Sequence, residues 1–185
     1  MNRYKRPSAS KIQQTALLRG VKIPEVHRSG RRFSKVDFAS YPWLVVLNQD
    51  CDLDLDRHAR KGTSPTDGNP VNKDKRLRSV LLCPAFPELD VLDGSYVEGA
   101  SKFLGTQQGM VMNNRHERFH VLSPEPPLVS ETLILDFKLV IAATPEYIER
   151  WIRSHRESRV AVLKPPYRDR LTQRFANYFT RIAEP

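Results

Sequence analysis

Short aliphatic runs separated by polar, proline-containing stretches restrict the fold of this chain more than any other feature. The run from Trp43 to Leu47 is continuous and apolar, which is typical of a strand buried on both faces. Further segments with the length and pattern of strands are 79–83, 117–122, 132–143 and 159–163. All of these runs are far too short to span a bilayer, so we expect no membrane partner.

Two helices are predicted towards the C-terminal end. Thr144-Pro145 supplies an N-cap and a first-turn residue for a helix that continues to about Ser154. A final helix follows Pro165-Pro166, and its apolar residues recur every three or four positions, as in a stripe that packs on a core. These residues are Tyr167, Leu171, Phe175, Tyr178 and Ile182. A further helical segment is expected within 97–112.

The order of these elements predicts the fold class. Strands separated by loops, without strict alternation of strand and helix, favour a mixed β fold with flanking helices. We therefore expect either an SH3-like β-barrel or a curved antiparallel sheet, with an amphipathic helix at the C-terminal end.

The net charge of +9 lies entirely in residues 1–35, which hold ten basic residues and one acid. The remaining 150 residues are balanced, with 20 basic and 20 acidic groups. This pattern predicts a basic N-terminal arm, residues 1–35, that is partly disordered, on a single globular domain, residues 36–185, with a polar insertion at about 53–77. A basic arm suits phosphate neutralisation in nucleic acid, and the alternative is a solubilising or protein-docking tail. The candidate nucleic-acid-binding residues are Arg3, Lys5, Arg6, Lys11, Arg28, Arg31, Arg32 and Lys35.

An unusual polar cluster, Gln49, Asp50, Cys51 and Asp52, directly follows the strand that ends at Leu47. Acids alternate at 52, 54 and 56, and in extended geometry they share one face, where a divalent cation could bind. A solvent-facing strand edge produces the same alternation and is the favoured interpretation. Cys51 is interpreted as a small buried residue closing the strand end.

Cysteine usage bears on metal binding and on the compartment. Cys51 and Cys83 are the two cysteines, and the chain has no Cys-x-x-Cys pair, so we expect neither a zinc site nor any other metal or cofactor. The basic N-terminus is not followed by an apolar block, so we expect no secretory signal. The two thiols are then expected to be reduced, in a cytoplasmic protein of bacterial type.

Four residues form a candidate site for metal-independent RNA cleavage: Arg115, His116, Arg118 and His120. Such a reaction needs a base to activate the 2′-hydroxyl and a cation to stabilise charge on the phosphorane. Imidazoles suit proton transfer near neutral pH, and these two lie beside a predicted strand. Each residue is also of a type that is common on protein surfaces.

Four features together resemble a known family. They are the strand Trp43-Leu44-Val45-Val46-Leu47, the polar turn, a second strand ending at Cys83-Pro84 and the closing helix. With these features, residues 30–183 resemble the MazF/PemK-like toxin family of small SH3-like barrels. The segment Gln49 to Asp52 is similar to a Cys-Asp signature in proteins of bacterial conflict and phage-defence loci. The resemblance implies ribonuclease activity, but the chain has Asn48-Gln49 where the family places Ser or Thr and Arg, so the catalytic residues do not map.

Three functional hypotheses follow from the sequence. The first is a nucleic-acid-binding component of a bacterial defence or toxin–antitoxin system, without catalysis of its own. The second is a metal-independent endoribonuclease toxin. The third is an adaptor that docks a protein partner from the same operon.

Overall fold

The structure, a computed structural model, describes residues 2–8, 11–29, 32–62 and 73–182. Its strands are β1 (Tyr4–Lys5), β2 (Ala16–Ser29), β3 (Arg32–Val46), β4 (Val80–Pro87), β5 (Phe119–Leu122), β6 (Leu133–Asp136), β7 (Ile141–Ala143) and β8 (Arg159–Leu163). Its α-helices are α1 (Asp50–Lys61), α2 (Glu88–Asp93), α3 (Thr106–Met112), α4 (Pro145–Ser154) and α5 (Tyr167–Ile182). Short 3₁₀ turns lie at Lys73–Lys75, Phe137–Leu139 and Arg156–Ser158.

All strand pairs are antiparallel and form one sheet in the order β1-β8-β2-β3-β4-β6-β5, with β7 also pairing with β4. The predicted mixed fold with an antiparallel sheet and a C-terminal helix is confirmed. The sheet is not closed into a barrel, because no ladder joins β1 to β5 in the described part of the chain. Its two edges nevertheless approach, since the Tyr4 hydroxyl donates a hydrogen bond of 2.9 Å to the carbonyl oxygen of Ser123, one residue beyond β5.

Apolar clusters cover both faces of the sheet, as the continuous run in β3 predicts. Val45 packs in one cluster with α5, whereas Leu44 and Val46 pack in another with α4, and all three are fully buried. A third cluster lies under α2 and α3 and includes Phe119 and Ile134. The prediction of a strand buried on both faces is therefore confirmed.

The helices predicted at the C-terminal end are present with their expected signals. The Thr144 hydroxyl accepts a hydrogen bond of 3.3 Å from the backbone N–H of Tyr147, and Pro145 opens α4. Leu171 of the α5 stripe is fully buried. The segment 97–112 is helical only in α3, because Gly105, with a φ of +51°, lies at its start in a conformation that a helix does not allow.

The prediction that residues 1–35 form a separable arm is wrong. β2 lies between β8 and β3 in the sheet, and Leu17, Leu18 and Val21 are fully buried. The apolar residues of 16–23 thus pack in the core, although basic residues lie between them in the sequence. The basic charge of this segment belongs to the domain itself.

The outer parts of β2 and β3 form a two-stranded ribbon, residues 19–29 and 32–41. Strand β8 pairs with residues 16–18 only, and β4 pairs with residues 43–46 only. Eleven residues of β2 therefore extend roughly 35 Å at about 3.3 Å per residue with β3 as their sole partner strand among the described residues. Ile23 is buried at the base of the ribbon, whereas Val36 and Phe38 further out are exposed.

The polar insertion predicted at 53–77 is also different, because residues 50–61 form α1. The helix buries Leu53 and Ala59 and ends at Gly62, which has a φ of +77°. Residues 63–72 lie outside the described residues. In the helix Asp52 and Asp56 are four residues apart and lie on one side, whereas Asp54 lies on the opposite side, so the expectation that all three acids share one face is wrong.

The predicted strand 132–143 is interrupted. It forms β6 and β7, separated by a 3₁₀ turn at Phe137–Leu139. The Asp136 side chain causes the break, because it turns inward and accepts a hydrogen bond of 3.0 Å from the backbone N–H of Lys138. As a result, β6 and β7 pair with opposite ends of β4.

Candidate polyanion-binding surface

A pocket of about 350 Å³ lies between α1, α4 and the segment 11–12, and we call it the α1–α4 pocket. Its lining side chains are Lys11, Ile12, Arg57, Lys61, Glu149, Ile152, Arg153 and Arg156. Five of these eight residues are basic and one is acidic. Both isoleucines are buried and give the pocket an apolar floor.

The acids near this pocket are engaged with arginine or lysine. The Asp54 carboxylate lies 3.0 Å from Lys11 Nζ and 3.3 Å from Arg57 Nη2. Glu149 accepts hydrogen bonds from Arg60, at 2.9 Å from Nη2 to Oε1, and Arg60 also pairs with Asp56 and Glu146. By contrast, Lys61, Arg153 and Arg156 have no ion-pair partner among the described residues. Their charges are available to an anion.

A second, more open hollow of about 610 Å³ adjoins the pocket, and we call it the Arg19 hollow. Arg156 lines both cavities. The Arg19 hollow also contains Arg6, Arg19 and Arg159, with Glu157 as its one acid among the described residues. Burial lowers the pKa of Arg159, but a guanidinium remains protonated in proteins, so this side chain stays cationic.

We call the α1–α4 pocket and the Arg19 hollow together the basic surface. Its basic residues are Arg6, Lys11, Arg19, Arg57, Lys61, Arg153, Arg156 and Arg159, and its acids are Glu149 and Glu157. A concave surface with an excess of basic side chains concentrates positive potential and attracts polyanions.

The structure brings together two of the eight residues predicted from sequence to bind nucleic acid, Arg6 and Lys11. Arg3 and Lys5 lie at the edge strand β1, where the Arg3 guanidinium lies over the Tyr167 ring at 5.5 Å from its centroid. Three others, Arg28, Arg32 and Lys35, are in the ribbon, and Arg31 lies outside the described residues.

Most of the basic surface was missed in the sequence because its residues come from segments whose charge is balanced overall. One signal was present. Residues 153–159 contain three arginines and one acid within seven positions, at the junction of α4 and β8.

The predicted cleavage residues are divided between two cavities. His116 and Arg118 line a cavity of about 390 Å³ with Tyr96 and Lys138. His120 instead lines a cavity of about 190 Å³ on the other side, with Arg3, Tyr167 and Arg170 among its neighbours. Arg115 is exposed and lines neither.

The histidines are poorly placed for base catalysis. His116 Nδ1 accepts a 3.3 Å hydrogen bond from the backbone N–H of Arg118, so the neutral ring carries its proton on Nε2 and is a donor there. Burial, with the nearby Arg118 charge, lowers the pKa of His116. Burial lowers the pKa of His120 to about 3, and its Nδ1 has no hydrogen-bond partner in the described part of the chain. In the cavity of His116 and Arg118 both side chains therefore act as hydrogen-bond donors. The lone pair of His116 Nδ1 is already occupied and cannot accept a proton from a substrate hydroxyl.

No family model matches the chain, and neither a curated protein nor a solved structure matches it. The geometry of its own side chains is therefore what supports a function. Within residues 2–8, 11–29, 32–62 and 73–182, no helix has the length and apolar character needed to cross a membrane.

The polar cluster that follows β3 forms the first turn of α1. Cys51 is exposed there, so its predicted burial is wrong: the helix points this side chain outward. The Asp50 carboxylate accepts a hydrogen bond of 2.8 Å from the backbone N–H of Gln14 and anchors the segment before β2. Gln49 precedes the helix without a capping side-chain hydrogen bond. Among the described residues, no three His, Cys, Asp or Glu side chains are grouped as metal ligands would be.

Proposed function

We propose that this protein binds nucleic acid by its phosphate backbone, through the basic surface. The observation that carries the proposal is that Arg156 joins two cavities whose linings hold eight basic residues and two acids. Charges spread over two adjoining cavities suit a polymer with several phosphates. Arginine, which accounts for six of the eight, presents a planar set of donors that matches phosphate oxygens.

The ribbon supports the same proposal. Its outer segments, residues 26–29 and 32–35, contain Arg28, Arg32 and Lys35 and no acid. A two-stranded antiparallel ribbon fits the major groove of a DNA duplex. Nearer its base, the exposed side chains of Val36 and Phe38 offer apolar contacts to bases or sugars.

We further propose that binding occurs without catalysis, in a bacterial defence or toxin–antitoxin system of the kind that the MazF/PemK-like resemblance implies. The support for a lack of catalysis is the division of the candidate residues between two cavities and the engagement of His116 Nδ1. Incubation of RNA with the protein, with and without EDTA, tests this part, and metal-independent cleavage would favour the toxin hypothesis instead.

The binding experiment is fluorescence anisotropy with labelled 20-nucleotide RNA and DNA at several salt concentrations. We expect the double variant Arg6→Gln/Arg156→Gln to bind at least about tenfold more weakly at 0.1 M salt. Its log–log salt slope should fall by about 0.7 to 0.9 for each phosphate that the variant no longer neutralises.

The matched control is Arg115→Gln/Arg150→Gln, which removes the same charge from exposed positions that line neither cavity of the basic surface. The control should bind nearly as the wild type does. Equal losses in the two double variants, or no binding of any nucleic acid by the wild type, would contradict the proposal.

A further inference from the structure

We infer that the α1–α4 pocket binds a terminal phosphate, that is, a phosphomonoester at the end of a nucleic-acid strand. The inference deepens the proposed function and rests on it for the strand itself. The same phosphomonoester chemistry occurs in a free nucleoside monophosphate, so the experiment below distinguishes these two sources.

Charge favours a phosphomonoester in this pocket. The lining holds five basic residues and one acid, Glu149, which is hydrogen-bonded to Arg60, and two of the five cations, Lys11 and Arg57, share the Asp54 carboxylate. A phosphomonoester carries a charge of about −1.5 to −2 at neutral pH, against −1 for a phosphodiester, so it gains more from converging cations. Lys61, Arg153 and Arg156, which form no ion pair with any described residue, supply three such charges.

The inner donors of the pocket are held in place before any ligand binds. Lys11 Nζ donates hydrogen bonds of 3.0 Å to both carboxylate oxygens of Asp54, and Arg57 Nη2 donates one of 3.3 Å to Oδ1. One carboxylate thus fixes two cationic side chains next to each other.

Size and position favour a strand end rather than a strand that passes through. A volume of about 350 Å³ is at the lower end of the range for small-molecule sites and suits one nucleotide unit. The buried side chains of Ile12 and Ile152 form the floor. At the rim, Arg156 leads into the larger Arg19 hollow, where the following phosphates of the strand have room.

The test compares single-stranded 12-nucleotide RNA and DNA bearing a 5′-hydroxyl, a 5′-phosphate or a 3′-phosphate, by fluorescence anisotropy with an internal label. We expect a terminal phosphate at one of the two ends to lower the Kd at least about tenfold. Lys61→Gln and Arg153→Gln should each bring the ratio of the Kd for the hydroxyl-ended strand to the Kd for the phosphate-ended strand close to one. Both side chains are exposed and form no ion pair within the described ranges, so these variants should fold.

The matched control is Arg150→Gln, an exposed arginine of α4 that does not line the pocket, and it should keep the wild-type ratio. Equal affinity for phosphate and hydroxyl ends in the wild type overturns the inference and leaves backbone binding intact. If no strand binds, the proposed function fails, and calorimetry with adenosine 5′-monophosphate then decides. If adenosine 5′-monophosphate binds and Lys61→Gln weakens that binding, the pocket is a phosphomonoester site for a free nucleotide. If it does not bind, the inference is overturned.

Discussion

Arg118 donates two hydrogen bonds to the carboxylate of Asp136, 2.7 Å from Nε to Oδ1 and 2.6 Å from Nη2 to Oδ2. Asp136 is fully buried at the end of β6, and the Tyr96 hydroxyl donates a third hydrogen bond of 3.0 Å to it. Burial, with the Asp136 charge next, raises the pKa of Tyr96 to about 12, so this hydroxyl stays protonated as a donor. The carboxylate thus joins the turn that follows β6 to the cavity that contains His116.

Removal of the Arg118 side chain should destabilise the protein strongly. Arg118→Ala leaves the buried Asp136 charge without its cation, and breaking such a pair costs about 3–5 kcal/mol. Urea denaturation should show this loss in the free energy of unfolding. The exposed neighbour Arg115, changed to Ala, should alter it by less than about 0.5 kcal/mol. Similar small losses in both variants would contradict the role assigned to the pair.

The buried imidazole of His120 should make stability depend on pH. Burial lowers its pKa to about 3, whereas an imidazole in the unfolded chain has a pKa near 6.5. Between these values the unfolded state binds more protons than the folded state. The stability that the neutral imidazole of His120 contributes is therefore fully present above about pH 6.5 and is lost as the pH falls towards 3.

The variant His120→Phe removes this titration and keeps a ring stacked on Phe137, whose centroid lies 6.4 Å from that of His120. Between pH 6.5 and pH 4 we expect the free energy of unfolding to fall by about 3 kcal/mol less in the variant than in the wild type. Urea denaturation across this range provides the measurement, with His58→Gln on α1 as the control. Parallel pH curves for wild type and His120→Phe would contradict the prediction.

Local signals explain which elements could be predicted from the sequence. The run Trp43–Leu47, the Thr144-Pro145 start of α4 and the α5 stripe each lie within one stretch of chain, and all three are confirmed. β2 could not be recognised in this way. Arg19 and Gly20 interrupt its apolar pattern, and the strand depends on pairing with β3 and with the distant β8.

The candidate site was still harder to predict, because it is assembled from distant parts of the chain. Lys11, Arg57 and Arg153 converge only when α1 and α4 pack together on the sheet. In the sequence the acids around these residues cancel their charge. The structure shows that Asp54 and Glu149 are engaged in ion pairs, and that three lining cations have no such partner among the described residues.

The two cysteines should differ in reactivity. Cys51 is exposed, whereas Cys83 is fully buried, and burial raises the pKa of its thiol with a further contribution from the Asp136 charge. A thiol reagent such as Ellman's at pH 8 should modify one cysteine rapidly in the native protein and two only after denaturation. Cys51→Ser should abolish the rapid phase. Rapid modification of two thiols in the native protein would contradict the placement of Cys83.

Deletion of residues 1–35 should abolish folding rather than remove a binding arm. The deletion takes away β1 and β2, including the fully buried Leu17, Leu18 and Val21. Each buried aliphatic side chain contributes about 1.5–3 kcal/mol, and a whole domain has only about 5–15 kcal/mol of stability. Circular dichroism and thermal denaturation should show the loss of cooperative unfolding.

Shortening the ribbon separates its role in binding from its role in the fold. Pro24 and Phe38 are register partners, so an Asn-Gly turn in place of residues 25–37 preserves the pairing below them. Ile23, the outermost buried side chain within residues 16–25 of β2, is retained. We therefore expect a cooperative unfolding transition and a free energy of unfolding within about 1 kcal/mol of the wild type. The change removes four basic residues and two acids, Glu25 and Asp37. Because the phosphate-binding cations of the ribbon are lost, the affinity for nucleic acid should fall at least about tenfold and its salt slope should decrease. Unchanged affinity in this folded variant would restrict binding to the basic surface, and loss of folding would show that the ribbon stabilises the sheet.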